Sequence, residues 1–269
     1  MDEFYYLISI FEDVDLFLLI LVRLIGFFVI MPIFSGTNIP NTIKMAFAIG
    51  FAFMVHTVGL SDEAIVFFNN SLISYLWLLL IEFLVGFTMA YVVYIVMSLL
   101  YLMGQFIDDS IGFNMVSVLD PSSQIQVPVM GNLLYLMAIS ILIISGGLHI
   151  ILMSVFQSFQ LAPIGTISFL NAIGLMQYVL SLIITTFYMG LQIAMPIVGS
   201  IIVINLALGM LLKTMPQMNM FVVGMPLKLI LGLLIITFLL PIFAVTFNAI
   251  FNLAYNAVES VIMFFSDSA

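Results

Sequence analysis

Few side chains in this sequence could do chemistry, and their spacing speaks against it. The two histidines, His56 and His149, stand far apart, each alone in an apolar stretch. A metal centre needs clustered ligands, and a nucleophile needs a base within hydrogen-bond reach. A solitary histidine supplies neither and reads as a packing or helix-end residue, so no metal site is expected. Asp108 and Asp109 are neighbours. On a helix their side chains point about 100° apart, which does not make an acid–base pair. There is no cysteine, hence no thiol chemistry and no disulfide framework. No G-x-x-x-x-G-K-[S/T] phosphate loop occurs, which excludes nucleotide hydrolysis by that route.

Two charges remain. Arg23 and Glu82 each interrupt a long apolar run. A charge at the centre of a bilayer costs about 2.5–3.5 kcal/mol or more, so such a residue faces protein or water. One reading is a proton or ion relay, which would want more than one acid along its path. The other is structural: Arg23 pairs with a carboxylate of this or another subunit, or reaches to the membrane surface.

The elements that hold these residues are made for lipid. The 269 residues are 65% hydrophobic and only 6% charged, against about 25% charged in a soluble domain. The net charge of −9 argues against nucleic acid and anionic surfaces as partners. The acidic start, MDEFYYLISIFEDVD, lacks the positive region of a secretory signal, so the first apolar segment is expected to stay. A spanning helix needs about 20 apolar residues. Six candidates follow: residues 16–34, 44–60, 72–103, 129–156, 175–212 and 229–257. The third and fifth exceed a hydrocarbon slab of roughly 30 Å at about 1.5 Å per residue. Tilt, kinks at Pro196 and Pro241, or a position partly outside the bilayer would reconcile them. The expected fold is an all-α polytopic membrane protein, a single domain over residues 1–269, with about six long, kinked helices in hairpins. Lys44, Lys213 and Lys228 flank loops that six crossings put on one side, and basic residues favour the cytoplasm. From Pro121 to Leu212 there is no Asp, Glu, Lys or Arg. Protein, rather than lipid headgroups, is expected to surround that half.

Between the third and fourth segments lies DDSIGFNMVSVLDPSSQIQVPVMG, residues 108–131. The residues preceding Pro121 and Pro128 disfavour the α conformation, and DPSSQ is a turn signal. Backbone of this kind cannot face lipid. It lies either in water as an ordinary loop or in a cavity lined by protein. For the second case Gly104, Gly112 and Gly131 would permit close packing. Phe113, Met115, Val116 and Val118 could then form an apolar constriction that excludes water.

Four stretches, in order along nearly the whole chain, resemble the FliR/SctT family, the R subunits of type III secretion export gates. These are RLIGFFVIMPIFSGTNIPNTIKMAFAIGFAF, EFLVGF with Glu82 and Gly86, GQFIDDSIGFNMVSVLDPSSQIQVPVMGNLLYL, and TMPQMNMFVVGMPLKLILGLLI. The resemblance implies a FliP-like N-terminal part joined to a FliQ-like C-terminal hairpin. It implies one copy in a hetero-oligomer with FliP and FliQ, with FlhB near the entrance, in the inner membrane of the flagellar basal body. By matched positions it implies a plug from Gly104 through Asp108, Asp109, Ile111, Gly112, Phe113, Met115, Val116, Val118, Asp120 and Pro121 to Pro128, with residues 111–118 as the obstruction. It also implies a cytoplasmic-entrance loop of Lys213, Pro216, Gln217, Asn219, Gly224, Pro226 and Lys228. The expected role is a structural subunit of a channel that passes unfolded rod, hook and filament proteins, with no catalysis and no cofactor. The equivalent gate subunit of a virulence injectisome is one alternative. A stand-alone secondary transporter of the plasma membrane is another. It would need repeated halves and paired mid-membrane ionisable residues, and Arg23 and Glu82 have no counterparts in the later half.

Overall fold

The computed structural model of the chain describes residues 2–35, 39–58, 72–113, 128–166, 172–215 and 223–266, without the side chains of residues 2–13, 35 and 212. Among the described residues the regular structure is entirely helical. The helices are α1 (Asp2–Ile30), α2 (Pro32–Ser35), α3 (Asn41–Val58), α4 (Leu72–Ile111), α5 (Val129–Ile144), α6 (Gly147–Leu161), α7 (Ala172–Thr214) and α8 (Met225–Ser266). Proline sits where a helix has no use for an N–H. Pro32 opens α2, while Pro40 and Pro128 immediately precede α3 and α5.

By length and composition α3, α4, α7 and α8 could each cross a membrane, and α5 with α6 could supply a fifth, bent crossing. The chain is an all-α polytopic membrane protein. Several expected boundaries move. The first segment stops at Ile30 rather than Phe34. The fourth, expected to run unbroken over residues 129–156, is two helices bent by 71°. Gly146 takes φ 75, a left-handed conformation open to glycine, and the Ser145 N–H donates back to Ile141 O to close α5. Pro196 and Pro241 lie within α7 and α8, which run on through them. The break falls at a glycine instead. Finally, α4 continues past Met103 to Ile111, for a reason that lies in its partner helix.

The chain divides into two compact units. The first takes residues 1–96, 146–182 and 253–269, and the second residues 97–145 and 183–252, so α4, α7 and α8 contribute to both. In the first unit Leu19, Ile20, Leu24, Phe27 and Phe28 of α1 are buried, as are Ala48, Ala52 and Val55 of α3. The i, i+4, i+7 spacing of the α3 residues makes one inward stripe. Phe28 stacks edge-on against Phe34 at 5.1 Å and lies 5.7 Å from Phe51. In the second unit α5 turns Met130, Gly131, Leu134, Ala138 and Leu142 inward. Tyr101 of α4 stacks on Tyr135 of α5 at 4.7 Å.

Burial is uneven along the chain. Of the most apolar stretch of α4, 61% is buried within the protein, against 22% for α7 and 17% each for α3 and α8. Much of the apolar surface of α7 and α8, including Phe187, Tyr188, Val203, Met210, Phe238 and Val245, is exposed. Lipid or other proteins must cover it.

Candidate functional site

Among the described residues each unit holds a buried polar cluster. In the first, Arg23 and Glu82 come together. Arg23 Nε donates to Glu82 Oε2 at 2.6 Å, and both side chains are fully buried. Two glycines make the approach possible. A side chain on Gly26 would strike the backbone of Phe83, and one on Gly86 would overlap the backbone of Arg23. Thus α1 and α4 touch backbone to backbone, with the ion pair beside the contact.

The rest of the guanidinium serves a third helix. Nη1 donates to the Ser158 carbonyl at 3.1 Å and to the Ser158 hydroxyl at 3.4 Å. Nη1 and Nη2 both donate to the Ala162 carbonyl at 3.1 Å. These carbonyls belong to the end of α6, where the helix dipole is negative; the Ser158 carbonyl also accepts the Ala162 N–H at 3.0 Å. The Phe159 ring lies 4.4 Å from Arg23 Cζ, a cation–π contact. Arg23 therefore bonds α1 to α4 and α6 through a planar fork that a lysine could not reproduce. Each of the three guanidinium nitrogens donates to at least one fixed acceptor. This is the pairing reading, with the carboxylate in the same chain. Glu82 Oε1 is buried and without a partner.

The second cluster sits where the central stretch begins and ends. Gly104 of α4 lies directly on Gly131 of α5, so that a side chain on Gly104 would overlap the Gly131 backbone. One turn further along α4, the fully buried Asp108 accepts the Met130 N–H on both carboxylate oxygens, at 3.1 and 3.2 Å. Pro128, the residue before α5, offers no side-chain cap. Asp108 fills that role across the helix pair, because an N-terminal turn has free N–H groups. Its own carbonyl accepts the N–H groups of Gly112 and Phe113 at 2.8 and 3.0 Å. Gly112, at φ 95, ends α4. The adjacent Asp109 is exposed while Asp108 is buried, the divergence expected of neighbours on a helix. Ile111 is buried with its side chain 3.0 Å from the place a Gly232 side chain would take on α8. The helix can run past Met103 because Asp108, the buried acid of its last turn, finds a donor on α5.

Of the residues matched to a plug, Gly104, Asp108, Asp109 and Ile111 are helical, Gly112 and Phe113 form the turn that ends α4, and Pro128 precedes α5. Met115, Val116, Val118, Asp120 and Pro121 lie outside the described residues. Of the entrance residues, Lys213 and Pro226 are exposed, Lys228 is half-buried and Gly224 buried, while Pro216, Gln217 and Asn219 lie outside the described residues. His56 packs edge-on against Phe17, its ring centroid 6.0 Å away, and His149 is exposed near the start of α6. Sequence reasoning missed Ser158, Phe159, Ala162 and Met130. Ser158 and Ala162 could not be found from spacing, since a carbonyl acceptor has no side-chain signature, and Phe159 is one phenylalanine among 26. The Met130 N–H had a faint signal: a proline before a helix leaves that terminus needing a cap from elsewhere.

These features define a helical membrane protein held by internal polar bolts, with much apolar surface left for other molecules. The chain matches the family of bacterial export proteins, family 1, over residues 14–254, and belongs to it. It is similar to the flagellar biosynthetic protein FliR of Bacillus subtilis, 27% identical over 266 residues, covering 94% of this chain and 97% of that protein. FliR of Aquifex aeolicus is 27% identical over 247 residues, covering 90% and 92%. FliR of Escherichia coli is 26% identical over 244 residues, covering 90% of both chains.

Proposed function

We propose that the chain is a structural subunit of the flagellar export gate, which joins FliP and FliQ in one protein-conducting channel of the inner membrane. Unfolded rod, hook and filament proteins pass through that channel, and FlhB lies near its cytoplasmic entrance beside Lys213 and Lys228. The subunit performs no reaction and takes no cofactor; other components supply the energy. Membership of the export family carries the general reading, and the flagellar relatives give it direction. The finer reading is that residues 114–127 help to close the conduit. One observation supports it above the others. Residues 114–127 leave from Gly112–Phe113 and return at Pro128, and those two ends are bolted by Gly104 on Gly131 and by Asp108 on Met130. Fixed ends are what a closure that opens and shuts between two states needs. The little-buried faces of α7 and α8 are the surfaces on which FliP and FliQ would pack.

The experiment co-expresses the chain with FliP and FliQ and isolates the complex from membranes. The reading expects one co-purifying assembly, impermeable to potassium in vesicles. Removing residues 115–118 is expected to leave assembly intact and make the vesicles leak. The cut starts beyond Phe113 because Ile111 belongs to the packed end of α4. A protein that behaves as a monomer and transports a small solute by itself would replace this reading with that of a secondary transporter.

A further inference from the structure

We propose that the exposed face of α4 in the second unit, carrying Tyr101, Gln105 and Asp109, lines the water-filled path along which an extended polypeptide passes. This rests on the reading of the chain as a subunit of a protein-conducting channel.

The make-up of that face carries the inference. Beyond Leu80 the exposed residues of α4 are Tyr91, Tyr94, Tyr101, Gln105 and Asp109, with no aliphatic residue or phenylalanine among them. Before that point the same helix exposes Leu72, Ile73, Leu76, Trp77 and Leu80, a surface fit for lipid. Tyr101, Gln105 and Asp109 are four apart, so they fall in one stripe that climbs about 6 Å per step. The Tyr101 ring is held by stacking on Tyr135 at 4.7 Å. The same unit has a second, unlike surface. Ile111 of α4 lies against Gly232 of α8. Within about two turns of that contact, α8 exposes Leu227, Ile230, Leu233, Leu234 and Phe238. The Thr237 hydroxyl there donates back to Leu233 O of its own helix at 2.8 Å. α7 shows both kinds of side chain, Phe187 and Leu191 with Tyr188 and Gln192. Lipid does not suit the α4 stripe, because an amide and a carboxylate are costly to expose to it. The core of a subunit interface does not suit it either, being depleted of charge, and a carboxylate is costly to take out of water. Water on every side would wet the aliphatic face of α8. A unit wet along α4 and dry along α8 is a wall, and the wet side of a wall in a protein-conducting channel is the path. Tyrosine and glutamine both donate and accept hydrogen bonds, so they can exchange bonds with the N–H and C=O groups of any extended chain, whatever its sequence.

The chain has no cysteine, so single cysteines can report on each face. Tyr101→Cys and Gln105→Cys probe α4, and Leu234→Cys probes α8. Each is made in the full chain, in cells that build the gate with cysteine-free FliP and FliQ. Co-purification of the three proteins is checked first. Permeabilised cells are then treated with a small, water-soluble methanethiosulfonate. The thiolate is the reacting form, and a thiol raised by one pKa unit out of water holds about ten-fold less of it. Tyr101→Cys and Gln105→Cys are therefore expected to label at least about ten-fold faster than Leu234→Cys. A cysteine-free export substrate, stalled in the channel by a folded C-terminal fusion, is expected to slow both to the Leu234→Cys rate. Slow labelling of Gln105→Cys with no substrate present would mean that a partner subunit covers the stripe, and would overturn the proposal. So would fast labelling that the stalled substrate leaves unchanged, since the water would then lie outside the path. Leu234→Cys labelling as fast as Gln105→Cys would remove the dry side of the wall and overturn it too. If the unaltered chain does not co-purify with FliP and FliQ, the channel reading itself fails and the proposal falls with it. Should Tyr101→Cys lose its stack and not assemble, Gln105→Cys carries the test.

Discussion

Replacing Arg23 by Met tests the buried ion pair most sharply. Met has the length of the Arg stem, so little volume is lost, but three sets of partners lose their donor together. Glu82 stays fully buried with Oε1 already unpaired and Oε2 now unpaired as well. The carbonyls of Ser158 and Ala162 at the end of α6 lose the bonds made at 3.1 Å. Removing one partner of a buried pair costs about 3–5 kcal/mol, roughly 10 °C in melting midpoint for a chain of this size. The companion variant, Glu82→Leu, leaves Arg23 with its carbonyl acceptors and the Phe159 ring, and is expected to cost less. The double variant Arg23→Met/Glu82→Leu leaves no buried charge, and apolar replacement of a buried pair is often neutral. The remaining cost is that of the two carbonyls, about 1–3 kcal/mol. The assay is a double-mutant cycle on the thermal midpoint of the purified complex, read by size exclusion after heating. A coupling of about 2 kcal/mol or more between the two sites is expected. An Arg23→Met protein as stable as the original, or a double variant no better than Arg23→Met alone, would refute the structural role.

Other outcomes follow from the glycine contacts. Gly86→Ala drives a methyl group into the backbone of Arg23 and should cost at least about 3 kcal/mol, abolishing assembly by the same heating assay. Gly50→Ala, with nothing within 4 Å, should match the original. Gly112→Ala meets no neighbour, yet it forces an L-residue to φ 95 and should cost about 1–2 kcal/mol. Gly112→Asn should cost less, because asparagine tolerates left-handed backbone. Gly232→Val pushes against the Ile111 side chain and should loosen the end of α4, seen as faster proteolysis near Phe113. Pairing it with Ile111→Ala should recover most of the loss.

Much of the helical plan was legible because apolar runs of spanning length leave little choice. Six such runs predict helices where α1, α3, α4, α5–α6, α7 and α8 stand. What the runs do not carry is where a helix stops. Ser145-Gly146-Gly147 sits inside an unbroken apolar run, and hydropathy reads through it, but Gly146 turns the chain. Pro196 and Pro241 lie inside α7 and α8, which continue through them, since within a membrane-type helix neighbouring groups can re-satisfy the freed backbone. Arg23 and Glu82 were legible as buried charges but not as a pair. Their meeting depends on Gly26 and Gly86 letting two backbones touch, and glycine marks such a contact only once both helices are in place. Asp108 is the clearest case of a role written in tertiary structure. From sequence it was half of an unconvincing acidic pair in a turn-rich stretch. Its function depends on the missing cap of a helix that begins 21 residues later, at Val129, and no local pattern connects the two.

The central claim, that residues 114–127 stand in the path of exported protein, is tested most directly by cross-linking in the assembled gate. The chain has no cysteine, so a single Val116→Cys variant gives a unique handle. An export substrate with a cysteine and a tightly folded C-terminal fusion is allowed to stall in the channel, and a short bifunctional thiol reagent is added. The account predicts a covalent adduct between position 116 and the stalled chain, and shielding of that cysteine from a membrane-impermeant maleimide. A cysteine that reacts freely with the maleimide while the substrate is stalled, and forms no adduct with it, would contradict the account.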